Sequence, residues 1–261
     1  MFRLHGTILP DLLLPLGLLT LISAASSWLV LQEHIHALPL EPFTVAGIAL
    51  GLMLGLRTNA SYDRFWEGRK AWGAMVNRSR NIVRQSTVLV SQAEAKKMAE
   101  WVARFAHATR EQLWGQGKIE SGLPAPQRCL FELDRLVGDW RASETIDSLD
   151  RLGLEEDLAV LVDQLGVCER IQKTPFPPAY VLHLRQFLLV YCTALPLALV
   201  KNLGPLTPLA VCFLAYVFLG IERIGTELEN PFEKTPHALQ LEAICGTIER
   251  DVLATAESGK A

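Results

Sequence analysis

The sequence is short of the residues that site chemistry needs in groups. Cysteine occurs five times in 261 residues (Cys129, Cys168, Cys192, Cys212 and Cys245), never as a C-x-x-C pair. This excludes a disulfide framework or a zinc ribbon and reads as reduced, buried thiols, two of them (Cys192 and Cys212) within apolar runs. A cationic excess is also missing: 25 Lys+Arg face 28 Asp+Glu, a net charge of -3, so no nucleic-acid partner is expected. G-x-S-x-G, the glycine pattern of a phosphate loop and H-E-x-x-H do not occur. His34 and His36 stand two apart in a loop, which is no helical metal spacing. Asp63 and Glu67 are the one carboxylate pair at a spacing that suits acid–base or metal chemistry, but they alternate with Arg64 and Lys70, the pattern of ordinary helix ion pairs. Neither an enzyme nor a metal or cofactor is expected, and there is no internal repeat or low-complexity tract.

Apolar residues are plentiful: 50% of the chain, with a mean hydropathy of +0.22. They are clumped, as in a membrane protein. After a short head with one cation, Arg3, residues Leu12 to Leu31 give 20 consecutive uncharged positions, enough to cross a bilayer as a helix. The competing reading is a cleaved signal peptide, with Ser23-Ala-Ala-Ser26 as the small-residue site; continuation of the apolar run through Trp28 to Leu31 argues against it. A loop at Gln32 to Glu41 precedes a second apolar segment, Pro42 to Leu56. Residues Arg57 to about Ala179 are polar and mostly helical, with hydrophobic positions at helical spacing around Trp72, Val76, Ile82, Val83 and Trp101, Val102, Phe105, Ala106. Gly122 to Gln127 reads as a loop, and Leu130 to Trp140 and Thr145 to Ile171 as further amphipathic helices. The Pro-rich break at Thr174 to Pro178 leads to a third apolar segment, Tyr180 to Val200, where Pro196 predicts a kink. A tight turn at Lys201 to Pro205 and a fourth apolar segment, Leu206 to Ile221, follow. The tail is amphipathic, with Leu241, Ile244, Ile248 and Val252 on its apolar face.

Lys and Arg number 18 in residues 57–179, against 17 Asp+Glu, whereas the loops at 32–41 and 201–205 hold only Lys201 between them. The positive-inside rule therefore places the N-terminus, the central block and the C-terminus in the cytoplasm. The expected architecture is an all-α membrane protein with two membrane hairpins, about residues 12–56 and 180–221. These flank a cytoplasmic helical block, about 57–179 and 222–261, and the whole of 1–261 forms one integrated domain.

The stretch Glu41 to Trp72 organises this plan. No proline follows Pro42 in it, so one helix can run from membrane to water. Its apolar part, 15 residues, falls short of the roughly 20 needed to span lipid alone, and it passes into charged residues with no loop. That suits a helix bordering an aqueous interior. Gly47, Gly51 and Gly55 form a small-residue stripe fit for close helix packing. Ile48, Leu52 and Leu56 form a second, apolar stripe beside it. A ring of such helices would make a narrow apolar constriction above a polar vestibule, the geometry of a hydrophobic gate.

Leu54 to Met75 resembles the signature of bacterial bestrophin homologues, R-x-N-x-x-Y-x-R-[FWY]-x-E-[AG]-R-x-x-W-G, carried here from Arg57 to Gly73. Cys168-Glu-Arg-Ile171 with Thr174-Pro-Phe-Pro177, Leu195-Pro-Leu-Ala-Leu-Val200 and Glu227-Leu-Glu-Asn-Pro-Phe232 follow in the family's order, so the resemblance covers nearly the whole chain. It implies a homopentameric ion channel of the bacterial inner membrane, with four membrane helices per subunit around a central pore. The neck of that pore falls at Ile48, Leu52 and Leu56. An aromatic is common at the innermost neck position, where this chain has Leu56. A cytoplasmic aperture falls within Ile146 to Asp150, with Leu149 as its residue. The acidic calcium cluster of animal members has no counterpart in Glu233-Lys-Thr-Pro-His237, so calcium activation is not expected.

The partners expected are membrane lipid, other copies of the chain and monovalent ions. The resemblance implies chloride or other small anions. Because the neck residues carry no charge, a cation-selective channel of the same architecture is one alternative; in a different class, a membrane-anchored cytoplasmic scaffold is another.

Overall fold

The computed structural model describes residues 9–120 and 122–258; Arg3 lies outside them. The described chain is almost wholly helical. In order it comprises α1 (Leu9–Leu31), α2 (Glu41–Leu89), α3 (Gln92–Leu113), a two-stranded antiparallel hairpin of β1 (Ile119–Glu120) and β2 (Leu123–Pro124), α4 (Ala125–Ala142), α5 (Ser148–Lys173), α6 (Pro178–Leu203), α7 (Thr207–Glu229) and α8 (Leu241–Ser258). Its described residues divide into two compact units, and α2 contributes to both: one holds those up to 64 with 175–230, the other those of 65–174 with those from 231 on.

In the first unit α1, α6 and α7 pack on one another and on the first half of α2. Leu12, Leu16, Leu19, Leu50, Leu54, Leu184, Leu188, Leu195 and Val211 form its core. Three helical stretches are long and apolar enough to cross a membrane: Leu9–Leu31, Glu41–Leu89 and Pro178–Glu229. The last consists of α6 and α7 joined by a 3-10 turn at Gly204–Leu206. The tight turn expected from Lys201 is thus shorter than the sequence reading, since Lys201 to Leu203 remain helical. Gly204 ends α6 at φ +53°, a left-handed conformation that a residue without a Cβ adopts at little cost. At its other end α7 runs past Ile221 to Glu229, so the polar residues after the fourth apolar segment extend a helix.

The second unit is built on α3. Its buried face, including Ala95, Met98, Val102, Phe105 and Ala106, follows the 3.6-residue period, and Ser91 caps its start by accepting from the Glu94 amide at 3.4 Å. Across that face lies α8, which buries Leu241, Cys245, Ile248, Val252 and Ala256. Ile244, the remaining residue of the expected apolar face, is half-buried and packs against the same core. Ala125 to Gln127, expected as loop, form the first turn of α4, entered through Pro124 and Pro126, positions where a missing N–H is harmless. The α5 helix starts at Ser148 because Asp147 accepts from the amides of Leu149 and Asp150 (2.7 and 2.8 Å) while the Asp150 carboxylate takes the Asp147 amide. It ends at Thr174, whose position before a proline disfavours the helical conformation. Burial pushes the thiols of Cys168 and Cys245 up to about 12, so both stay protonated and inert at neutral pH.

Among the described residues, Gly47 is the one member of the glycine stripe that a side chain within the same chain approaches. A Cβ there would lie 2.6 Å from Tyr191 Oη. The Tyr191 ring is held between Phe43 and Phe218, at centroid distances of 6.2 and 5.8 Å, so it has little room to retreat. Among the described residues nothing lies within 4 Å of a Cβ built at Gly51 or Gly55. Gly47→Ala should therefore destabilise the subunit by about 1–3 kcal/mol, the usual cost of overpacking. Gly51→Ala should leave the subunit's own fold intact, so any loss it causes reports on a neighbouring chain. Thermal unfolding of the purified protein, with its oligomeric mass measured alongside, separates the two.

Candidate pore-lining face

On the first half of α2, burial divides the residues into two opposed arcs. Leu50, Leu54, Arg57 and Ser61 are buried and fall within an arc of about 60° at 100° per residue. On the far side Ile48, Leu52 and Leu56 are exposed at 70, 64 and 59%. Asn59 and Asp63, also exposed, continue the same stripe, and all five lie within about 80°. Asn59 and Asp63 lie past the apolar segment, so one continuous helix face passes from apolar to polar, and a face bordering water accommodates both parts. Exposure alone does not single out this helix, since Leu13, Leu14 and Leu21 of α1 and Leu209 and Phe213 of α7 are as exposed; what sets α2 apart is that its stripe runs on through polar residues in one helix unbroken to Leu89. Gly51 and Gly55 are exposed on the flank of the stripe, and Gly47 is half-buried against Tyr191.

The buried arc carries a feature that the sequence reading did not anticipate. Arg57 is 1% exposed, directly after Leu56. Its Nη1 donates to Glu222 Oε1 at 3.0 Å, and its Nη2 donates to Thr226 Oγ1 at 3.0 Å and Glu229 Oε2 at 3.3 Å. Glu222, Thr226 and Glu229 stand four and three apart on α7, so one helix face presents all three acceptors. Glu229 also takes the Phe176 amide on Oε1 (3.1 Å), and its carbonyl accepts from Arg64 Nε (3.2 Å). Arg185 of α6 adds a second guanidinium, donating from Nε to Glu222 Oε1 (2.6 Å) and from Nη2 to Thr226 Oγ1 (3.2 Å). The Tyr180 hydroxyl donates to the Met53 carbonyl at 3.1 Å. These bonds fix the rotation of α2 about its own axis, and the direction of Leu56 with it. The only trace in the sequence is the 222, 226, 229 spacing.

The ion pairs expected within the charged half of α2 do not form as read. Arg64 turns to the Glu229 carbonyl, and Glu67 pairs with Arg170 of α5 at 2.5 Å. Asp63 stands exposed. Among the described residues no three His, Cys, Asp or Glu side chains converge as metal ligands.

In the second unit Leu149 is the second residue of α5 and is 76% exposed, with Leu152 exposed one turn on, whereas Ile146 is buried. The Asp150 amide, with that of Leu149, holds the Asp147 carboxyl below the usual carboxylate range. The backbone that presents Leu149 is therefore fixed by a cap even though its side chain is free.

The model of the bacterial and fungal bestrophin proteins matches residues 1–254. Among curated relatives, a voltage-dependent anion channel-forming protein of Nostoc sp. is 38% identical, covering 82% of this chain and 76% of its own length. The voltage-dependent anion channel-forming protein YneE of Escherichia coli K12 is 32% identical over 97% of this chain and 89% of its own. Among solved structures, a single-substitution variant of a bestrophin homologue from Klebsiella pneumoniae superposes with a TM-score of 0.90 at 30% identity, covering 95% of this chain and 99% of that one. Another structure of the Klebsiella homologue gives 0.86 at 30% identity, covering 96% and 99%.

Proposed function

The chain belongs to the bacterial and fungal bestrophin family, and from that premise we propose that it forms a passive, anion-conducting pentamer of the bacterial inner membrane. In this reading each subunit crosses the membrane four times, through α1, the first half of α2, α6 and α7, and both termini are cytoplasmic. Five copies of α2 surround the axis. Ile48, Leu52 and Leu56 from each form three apolar rings that ions cross at least partly dehydrated. Gly51 and Gly55 pack against the neighbouring chain, and Leu149 forms the cytoplasmic aperture. The single observation that carries the reading is the exposed α2 stripe, apolar from Ile48 to Leu56 and then polar at Asn59 and Asp63. Anion selectivity draws its support from the names of the curated relatives.

One observation favours cations instead. Asp63 lies on the same stripe just past the neck, and five such carboxylates around an axis would concentrate cations there. A reversal-potential measurement on pure protein in lipid bilayers, under a salt gradient, decides between the two. The expected result is a reversal potential near that of chloride, with the protein running as a pentamer in mild detergent. Reversal near the cation potential, moving toward zero in Asp63→Asn, would establish the cation-selective form. No current from an intact pentamer, or a monomer, would overturn the channel.

A further inference from the structure

We propose that the groove between α1, α6 and α7 is a specific site for one membrane phospholipid, whose acyl chain lies in the groove and whose phosphate sits on Arg185. The inference rests on the membrane-spanning part of the reading above, not on conduction.

The groove encloses about 390 Å³, within the ~300–1,000 Å³ range of small-molecule sites. Its walls are apolar, with Pro15, Leu18 and Ile22 on α1 and Leu188 and Leu189 on α6. Charge enters only at one end, where Arg185 and Glu222 complete the lining. From Pro15 to Ile22 the helix rises about 10 Å, a length suited to the upper part of an extended acyl chain. Leu18, Ile22 and Leu189 are exposed at 53, 43 and 56%, so the groove opens outward along its length and admits a chain from the side.

The charged end specifies the head group. Glu222 Oε1 already accepts from the buried Arg57, from Arg185 and from Thr226, so that carboxylate oxygen is fully engaged by the protein. Arg185 is the outer of the two guanidiniums, with its side chain 50% exposed. A guanidinium has five N–H donors. Arg185 uses one at Nε and one at Nη2, leaving three without a partner among the described residues. At a membrane boundary, unfilled arginine donors above an apolar slot match a phosphate, which accepts from the planar fork in two parallel bonds. The Asp11–Arg223 pair, at 2.6 Å, ties the start of α1 to α7 and holds this end of the groove in place.

The test is lipid retention by the whole protein, purified in mild detergent and read by native mass spectrometry, with phosphatidylglycerol as the probe. The wild type should hold one phosphatidylglycerol per subunit through delipidation. Diacylglycerol, which has the chains without the phosphate, should be lost. Arg185→Gln should weaken retention about ten- to hundredfold, the worth of charged hydrogen bonds. Leu18→Trp replaces an exposed residue, so it leaves folding intact while filling the slot, and it should abolish retention. Phosphatidylglycerol held equally by wild type and Leu18→Trp, or diacylglycerol held as well as phosphatidylglycerol, would overturn the site. Because the readout is lipid mass, a chain that conducts yet retains no lipid sinks this proposal alone, and one that retains lipid yet does not conduct sinks the channel alone.

Discussion

Leu52→Ala should raise ion flux through reconstituted protein at least about tenfold, equivalent to ~1.4 kcal/mol off the barrier, with Leu56→Ala acting in the same direction. The barrier in an apolar ring is the cost of an ion shedding hydration where no polar group replaces it. Shortening leucine to alanine widens the ring and lets more water accompany the ion. The effect is large because the proposed fivefold pore would repeat a single substitution five times around one section. Both side chains project away from the subunit core, exposed at 64 and 59%, so truncating them leaves no cavity and should not lower the melting temperature. Leu50 and Leu54 on the same helix provide the control. They are 0 and 1% exposed, and their alanine variants should cost about 2–5 kcal/mol of stability through cavity formation without widening the proposed neck. Flux and thermal unfolding measured on all four variants would show two opposite profiles. A neck pair that destabilises without changing flux would mean that the exposed stripe faces lipid.

These two profiles follow from a pattern already present in the sequence. The four-residue spacing of Ile48, Leu52 and Leu56, and the absence of proline after Pro42, predict one continuous helix with an apolar stripe, and α2 runs unbroken from Glu41 to Leu89. Local rules sufficed because helical period is a local property. The glycines were legible only as small residues. Which of them meets a side chain depends on where Tyr191 stands, 144 positions from Gly47, and the structure shows it reaching Gly47 alone. The hairpin at Ile119–Pro124 has strands of two residues, too short for an alternating pattern to register. Helix ends moved for the same reason. Lys201 to Leu203 and Ala125 to Gln127 are helical because their neighbours' geometry carries the turn through, although each sits beside a glycine or proline that reads as a stop. Asp63 and Glu67 illustrate the limit most directly. Sequence proximity suggested pairs along α2, yet Glu67 finds Arg170, 103 residues away.

Arg57→Met should destabilise the protein by about 3–5 kcal/mol, the cost of breaking a buried ion pair by removing one partner. The guanidinium is 1% exposed and bonds Glu222, Thr226 and Glu229 together. Methionine matches its apolar stem but leaves two carboxylates, 13 and 11% exposed, each short of its Arg57 donor. Arg185 still reaches Glu222, and the Phe176 amide still reaches Glu229, so the loss should fall short of full unfolding. The charge argument can be separated from the packing argument by a double-mutant cycle. Glu222→Gln alone weakens the Arg57 and Arg185 bonds, but combined with Arg57→Met it removes a stranded charge. The double variant should therefore be more stable than the sum of the single losses predicts, with a coupling of about 0.5–3 kcal/mol. Strict additivity would mean that Arg57 acts by filling space. The flux readout carries the functional half of the argument. Arg57 follows Leu56 on α2 and bonds that helix to α7, so freeing it should let the side chains of the proposed neck swing off their common direction. Arg57→Met is expected to alter flux even in the fraction that remains folded and assembled, whereas Leu54→Ala, which loosens the same core without touching the ion pairs, is expected to lower stability alone.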